Sequence, residues 1–328
     1  MTDKISAVHP LRVAAYFEER DLVIERPSAM SIRVLLDNAA IVCELANPDI
    51  FQVSSIWKGV VQRPRDLARL LELISSSNAT LFAPKAYTIP GPRLGITYLG
   101  AEGNIPISSG LSELQFYSFI ETTVTAIIGL AAALGHLEFH IGCHHKYQVG
   151  TTLHAEGGGR RSRPFKRRGK SMSTPEIYLV PDTPTVPYPV DLARVAATIS
   201  QFGVLEESGR SSPSLRFSVD DELFVSSLDS KRRYLSVRKV WDTDLDYEKT
   251  RRAILIAADN WNRDHYFPTV YVIKTPMNRS RVVGDATIEI RHGLSDGQLS
   301  EFLLIALSSC AESIDYVSWS TGKLLELK

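Results

Sequence analysis

Gly293–Phe302 reads GLSDGQLSEF, and Gly110–Phe119 reads GLSELQFYSF. Glycine, leucine, serine, an acid, glutamine and the closing phenylalanine coincide in order, 183 residues apart. Upstream of these stretches the shift becomes 184. Trp57 then falls on Trp241, Asn78 on Asn262, Phe82 on Tyr266, Pro84 on Pro268 and Tyr87 on Tyr271, with no gap. Further back, Ser31, Arg33 and Asp37 match Ser214, Arg216 and Asp220 at a shift of 183, and RVAA at Arg12–Ala15 matches RVAA at Arg194–Ala197 at 182. An ordered series that drifts by two residues over the whole unit reads as one unit written twice. The Gly-Leu-Ser stretches also start helices. Ser112 and Ser295 suit an N-cap, and Gln115 and Gln298 stand three residues on, the spacing of a capping box.

The second copy is the easier to read. PVDLARVAATISQF (189–202) has apolar residues at helical spacing, with Gly203 as a stop. SLRFSVD, DELFVSSLD and YLSVRKVW each alternate apolar and polar residues between short turns, as in an antiparallel meander with one buried face. A helix is expected from DTDLDYEKTRRAILIAADNWNRD, its aspartates complementing the helix dipole in the first turn. FPTVYVIK and RVVGDATIEIRH then read as a hairpin, and a last helix runs from Ser295 to about Tyr316. In the first copy the middle helix opens at RPRDLARLL, with Pro64 in its first turn. The expected class is α+β: two tandem α-β-β-β-α-β-β-α units, each an antiparallel sheet with helices packed on it. The expected division is residues 1–135, a His-containing and basic linker at 136–187, and residues 188–328.

Composition narrows the function classes. At 328 residues the chain is long for one domain, and 44% hydrophobic content supports ordinary cores. Its 37 basic and 37 acidic residues cancel, so the chain as a whole has no pull toward nucleic acid or membrane. Cys43, Cys143 and Cys310 are odd in number and far apart, which fits a reducing cytoplasm better than a disulfide framework. The N-terminal stretch lacks the apolar core of a signal peptide. The most apolar stretch, Phe119–Leu134, is short for a membrane span and contains Glu121, so it is expected as a buried helix.

NWNRDHYFPTVYV (260–272), the alternating strand pair after it and HGLSDGQLSEFL (292–303) resemble the YbjN family of bacteria. The first copy is similar through NATLFAPKAYT and SGLSELQFYSF, although Ala79-Thr80 stands in place of Arg263-Asp264 and Ser76-Ser77 in place of Asn260-Trp261. The resemblance implies a fold like that of type III secretion chaperones, which often pair through sheet or helices. The family is provisionally labelled as sensory transduction regulators. No catalytic residues are established for it, so the resemblance supplies none.

The remaining candidates are weighed residue by residue. Trp57 and Trp241 end the third strand of each copy and are expected to pack in the core. Asn78 and Asn262, at the end of the middle helix, suit a cap or turn, and Pro84 and Pro268 suit the lead-in to the next strand. Arg263, Asp264 and His265 put an acid and two bases into the 260–267 loop, without a positioned nucleophile. His136, His140 and His144 are spaced by four, with Cys143 and His145 beside them. These are zinc-, nickel- or copper-type ligands, led by His140, Cys143 and His144, but in no structural zinc spacing. Arg160, Arg161, Arg163, Lys166, Arg167, Arg168 and Lys170 form a basic tether that can touch phosphates without sequence preference. No nucleotide-binding, metalloprotease or hydrolase motif is present.

The reading that follows is a cytoplasmic, non-catalytic binding or chaperone-like regulator. Its copies pair as an intramolecular pseudo-dimer through the apolar helix Val124–Leu134, which also offers a homodimer contact. It needs no cofactor and acts on an unidentified protein partner away from the membrane. The alternatives are nucleic-acid association through the basic tether, and an enzyme with a site between the copies.

Overall fold

A computed structural model describes residues 4–35, 39–47, 49–57, 64–91, 96–135, 186–206 and 213–326. The first copy runs α1 (Pro10–Glu18), β1 (Ile24–Ser28), β2 (Ser31–Leu35), β3 (Ala39–Asn47), β4 (Ile50–Trp57), α2 (Pro64–Thr80), β5 (Lys85–Pro90), β6 (Thr97–Pro106) and α3 (Glu113–Gly135). The second runs α4 (Leu192–Ile199), β7 (Val204–Leu205), β8 (Ser214–Val219), β9 (Glu222–Leu228), β10 (Tyr234–Asp246), α5 (Tyr247–Asp264), β11 (Thr269–Lys274), β12 (Arg279–Glu289) and α6 (Asp296–Glu326). The sheet orders are β1-β2-β3-β4-β6-β5 and β7-β8-β9-β10-β12-β11. The two orders are the same once the copies are superimposed in sequence. All the pairings are antiparallel.

Local chemistry sets the boundaries. Pro10 opens α1, and the His9 ring accepts from Arg12 N. Asp191 caps α4 and Asp246 caps α5, each accepting from the backbone N–H three residues on. The two-residue hairpin Asp220-Asp221 has φ of 51° and 65°, the pair of left-handed residues that a type I′ turn requires. Gly110 and Gly293 sit at φ 72° and 73°, and each lies under the backbone of an incoming N-terminal segment. A Cβ on Gly293 would stand 2.5 Å from Tyr188 O, and one on Gly110 would stand 2.8 Å from Ser6 O. That close approach lets Ser6 bridge to Leu111 and Tyr188 to Leu294.

Five elements differ from the sequence expectation. Each copy carries one strand more, β1 or β7. Both are short edge strands, one containing Pro27 and the other following Gly203, with no apolar alternation to announce them. Asp242 and Asp244 lie in β10 rather than in a helix, where Asp242 pairs across the sheet with Arg281 at 2.5 Å and Asp244 with Arg279 at 3.3 Å. The final helix continues ten residues past Tyr316. Finally, α3 is a 23-residue helix, long and apolar enough to cross a membrane by length and composition. It lies against β4 and β6 of its own sheet, with Ile127 and Leu130 buried and Ile128 47% exposed. The contacts that α3 makes with the other copy, described below, come from its N-terminal half, at Gln115 and Ser118.

The large buried side chains Phe51 and Phe116 of the first copy and Phe217, Phe224 and Phe302 of the second belong to one apolar cluster. A second cluster gathers Leu71 of α2 with Ile254, Leu255, Ala258 and Trp261 of α5, and Ile314 and Val317 of α6. Trp241 is half-buried against it. The side chain of Trp57 lies outside the described residues.

Candidate functional site

The feature that concentrates chemistry is the seam between the copies. Strands β5 and β11 each end a sheet, so their outer N–H and C=O groups lack a neighbouring strand. Helices α2 and α5 supply the missing partners. Within the first copy, Asn78 Nδ2 donates to Ala86 O at 3.0 Å and its Oδ1 accepts from Ala86 N at 2.9 Å. Within the second, Asn262 makes the same pair with Val270, both at 2.7 Å. The two asparagines are thus clamps on strand edges from inside their helices, not caps or turn residues, since α2 and α5 continue to Thr80 and Asp264.

One helical turn earlier the clamps cross between copies. Ser75 Oγ donates to Val272 O at 3.1 Å and accepts from Val272 N at 2.8 Å. At the equivalent place in α5, Asp259 accepts from Thr88 N at 2.8 Å and from Thr88 Oγ1. The exchange continues at the turns that follow the helices. Asn104 Nδ2 donates to Tyr266 O at 2.9 Å, and its counterpart Thr287 donates through Oγ1 to Phe82 O at 2.9 Å. Phe82 also stacks on Tyr234 of the other copy, with ring centroids 4.9 Å apart. At the helix starts the capping-box glutamines meet each other. Gln115 Nε2 reaches Gln298 Oε1 at 3.1 Å, and Gln298 Nε2 reaches Gln115 Oε1 at 2.9 Å. Each also donates to the opposite Gly-Leu-Ser turn, at Gly293 O and Gly110 O, both at 2.8 Å. The boxes themselves form as expected: Ser112 and Ser295 Oγ accept from Gln115 N and Gln298 N.

Two buried carboxylates flank the seam at matching strand positions. Glu102 is paired with Lys85 at 3.2 Å, with side chains 0% and 3% exposed. Tyr87 donates to it at 2.6 Å and Asn104 at 2.9 Å. Lys85 Nζ also donates to His265 O and Tyr266 O of the other copy. In the second copy Asp285 takes bonds from Arg238 and Ser236, both at 2.6 Å, and from Tyr271 at 3.3 Å. Burial still holds the Asp285 carboxyl above its ordinary range, against the lowering effect of Arg238. The counterions come from different strands, Lys85 from β5 and Arg238 from β10, so the repeat keeps the buried acid but not its partner. Asp259 has no such partner. Burial pushes its carboxyl up to about 6, opposed by its bonds from Thr88 and, more weakly, by Arg263.

Between β6, α3, β12 and the Phe82 and Tyr266 turns lies a cavity of about 50 Å³, lined among others by Lys85, Glu102, Asn104, Asp285, Thr287 and Glu289. That is room for one or two waters. Substrate-sized pockets are several times larger, on the order of 300 Å³ and up. Its carboxylates are engaged: Glu289 accepts from Ser118 of the first copy at 2.8 Å and pairs with Arg291. Among the described residues no group of three His, Cys, Asp or Glu side chains is placed to hold a metal ion.

The YbjN family profile, described as "Putative bacterial sensory transduction regulator", matches residues 192–319. Residues 192–319 are a YbjN-family domain. A crystal structure of E. coli YbjN, described as "a putative transcription regulator", is 17% identical, covers 40% of this chain and 97% of its own, and has a TM-score of 0.34. No curated protein matches the chain. The first copy lies outside the matched residues and shares the sheet order of the YbjN domain.

Several sequence candidates take their places around this domain. Pro84 and Pro268 lead into β5 and β11, each after a cis peptide bond. Of the 260–267 stretch, Asn260–Asp264 is the last turn of α5 rather than a loop. There Arg263 binds Asp264 and Asn260, and His265 stacks on Trp261 at 3.6 Å, so the three are not arrayed for proton transfer. His136, His140, Cys143, His144 and His145 lie outside the described residues, as do Arg160, Arg161, Arg163, Lys166, Arg167, Arg168 and Lys170. Sequence reasoning missed Ser75, Asp259, Lys85 and Glu102. Their partners lie 171 to 197 residues away or across a strand pair, where no local spacing reports them.

Proposed function

We propose that the chain is a non-catalytic regulator that binds other proteins, with its two copies acting as one intramolecular pseudo-dimer. The observation that carries this reading is the reciprocity of the seam. Ser75 on Val272 answers Asp259 on Thr88, Asn104 on Tyr266 answers Thr287 on Phe82, and Gln115 answers Gln298. Such paired contacts are what a two-fold dimer makes, and covalent linkage makes their encounter intramolecular. The regulatory label of the YbjN family supports the same direction. Small-angle scattering of the intact chain should give one compact particle whose dimensions do not change on dilution. Affinity capture from the native cytoplasm should return a reproducible protein partner with the intact chain and lose it with Q115A/Q298A. Two separately tumbling domains would refute the pseudo-dimer. Recovery of nucleic acid alone, lost on deleting residues 160–170, would favour the basic tether instead.

A further inference from the structure

The two crossing clamps are equivalent in place but not in chemistry. In one, a neutral hydroxyl, Ser75, both donates to and accepts from the backbone of Val272. In the other, a buried carboxyl, Asp259, faces Thr88, whose N–H and hydroxyl are both donors. A carboxylate can only accept, and here it is 5% exposed with no cation in contact in the described structure. From this geometry we infer that the seam holds a one-sided, pH-sensitive latch: protonation of Asp259 tightens the α5–β5 side, and ionisation loosens it while the Ser75 side stays closed. The inference rests on the pairing of the copies proposed above.

The surrounding charges offset Asp259 only in part. On α5 itself Arg263 favours its ionised form, but Arg263 is bound by Asp264 and Asn260 and Asp264 acts in the opposite direction, and His265 is stacked on Trp261. On β5 the ammonium of Lys85 is held by Glu102 and two carbonyls. On α2 Glu72 pairs with Arg251, about two turns back along α5. The ionisable groups on β10, β11 and β12 nearest the seam, Arg238, Tyr271 and Asp285, bind one another. On α6 Tyr316 packs against Trp261.

The sign follows from linkage. The folded carboxyl titrates near 6 and its ordinary value is 3.8. The closed latch therefore binds more protons than the open one between these values, so closure is favoured at low pH and loses ground as pH rises toward the folded value. Those two values give opening of the α5–β5 side about tenfold greater at pH 8 than at pH 5. Hydrogen–deuterium exchange of the intact chain, with exchange times scaled for the intrinsic pH dependence, reads this strand by strand. Peptides covering Lys85–Pro90 should lose about tenfold in protection from pH 5 to pH 8, while those covering Thr269–Lys274 hold theirs. D259N should abolish the difference. D259S, which copies the Ser75 arrangement, should do the same and serves if D259N misfolds. H265Q should leave it intact. A wild-type profile shared by D259N and D259S would overturn the latch, as would equal loss at both strands. If both strands exchange freely at every pH, the pairing of the copies fails instead.

Discussion

Replacing Lys85 with methionine would keep the volume of the side chain and remove its charge from beside Glu102. The pair is 3.2 Å apart and its side chains are 3% and 0% exposed, so the carboxylate is shut off from bulk water. Tyr87 and Asn104 would still donate to Glu102, but two neutral bonds do not balance a buried charge. The carbonyls of His265 and Tyr266 would also lose the ammonium, although Asn104 still reaches Tyr266 O. Breaking a buried pair on one side costs about 3–5 kcal/mol, a large share of the 5–15 kcal/mol that stabilises a typical protein. Urea unfolding at pH 7.5 followed by circular dichroism would measure the loss. The companion variant E102Q removes the charge, and K85M/E102Q should be more stable than K85M alone by about 2 kcal/mol. A K85M variant within 1 kcal/mol of wild type, or a strictly additive cycle, would refute the claim that this pair anchors the seam.

The other expectations concern the clamps and the thiols. N262A and N78A each orphan a buried backbone N–H and C=O on an edge strand, so each should lose about 2–4 kcal/mol in chemical denaturation. Unequal losses would show that the two copies are not equally held. Q115A and Q298A remove the same set of bonds and should match within about 0.5 kcal/mol. Their double variant should cost clearly less than the sum, because the amide pair is then counted once. Cys43 and Cys310 are buried and burial pushes both thiols up, so a native titration with a disulfide reagent should modify at most one thiol per chain, with all three reacting in denaturant. Two fast thiols in the native chain would contradict the packing around one of these cysteines.

What could be read from the chain was whatever repeats locally. The capping boxes at Ser112 and Ser295, the helix lead at Pro64 and the β8–β9–β10 meander all follow from spacing within a dozen residues. The edge strands β1 and β7 escaped because Ile24–Ser28 and Val204–Leu205 are too short and polar to show a period of two. Asn78 and Asn262 were legible as landmarks but not in role. Each lies eight residues before the backbone it binds, so its position in the sequence points only to the nearby helix end. An identical asparagine seven residues ahead of an edge strand in both copies was the signal available. The acids at 102 and 285 fall on each other at the 183-residue shift, yet their counterions do not, so the shift alone could not mark them as buried ion pairs.

Duplication within one chain removes a constraint that a homodimer cannot escape. In a two-fold dimer of identical chains a substitution appears on both sides of the axis, so a buried acid such as Asp259 would be introduced twice and its cost doubled. Here the seam can hold a serine on one side and an acid on the other, and it does: Ser75 and Asp259 occupy equivalent turns of α2 and α5 and reach equivalent residues of the opposite edge strand. Similar divergence separates Lys85 from Thr269 and Ser54 from Arg238, which places the counterion of each buried carboxylate on a different strand. The residues kept in both copies, Asn78/Asn262 and Gln115/Gln298, close strand edges and join the helix starts. Those that differ decide which half of the seam carries charge. Among these asymmetric positions Asp259 is a buried acid whose carboxyl burial pushes up to about 6, where its counterpart Ser75 carries no charge at any pH.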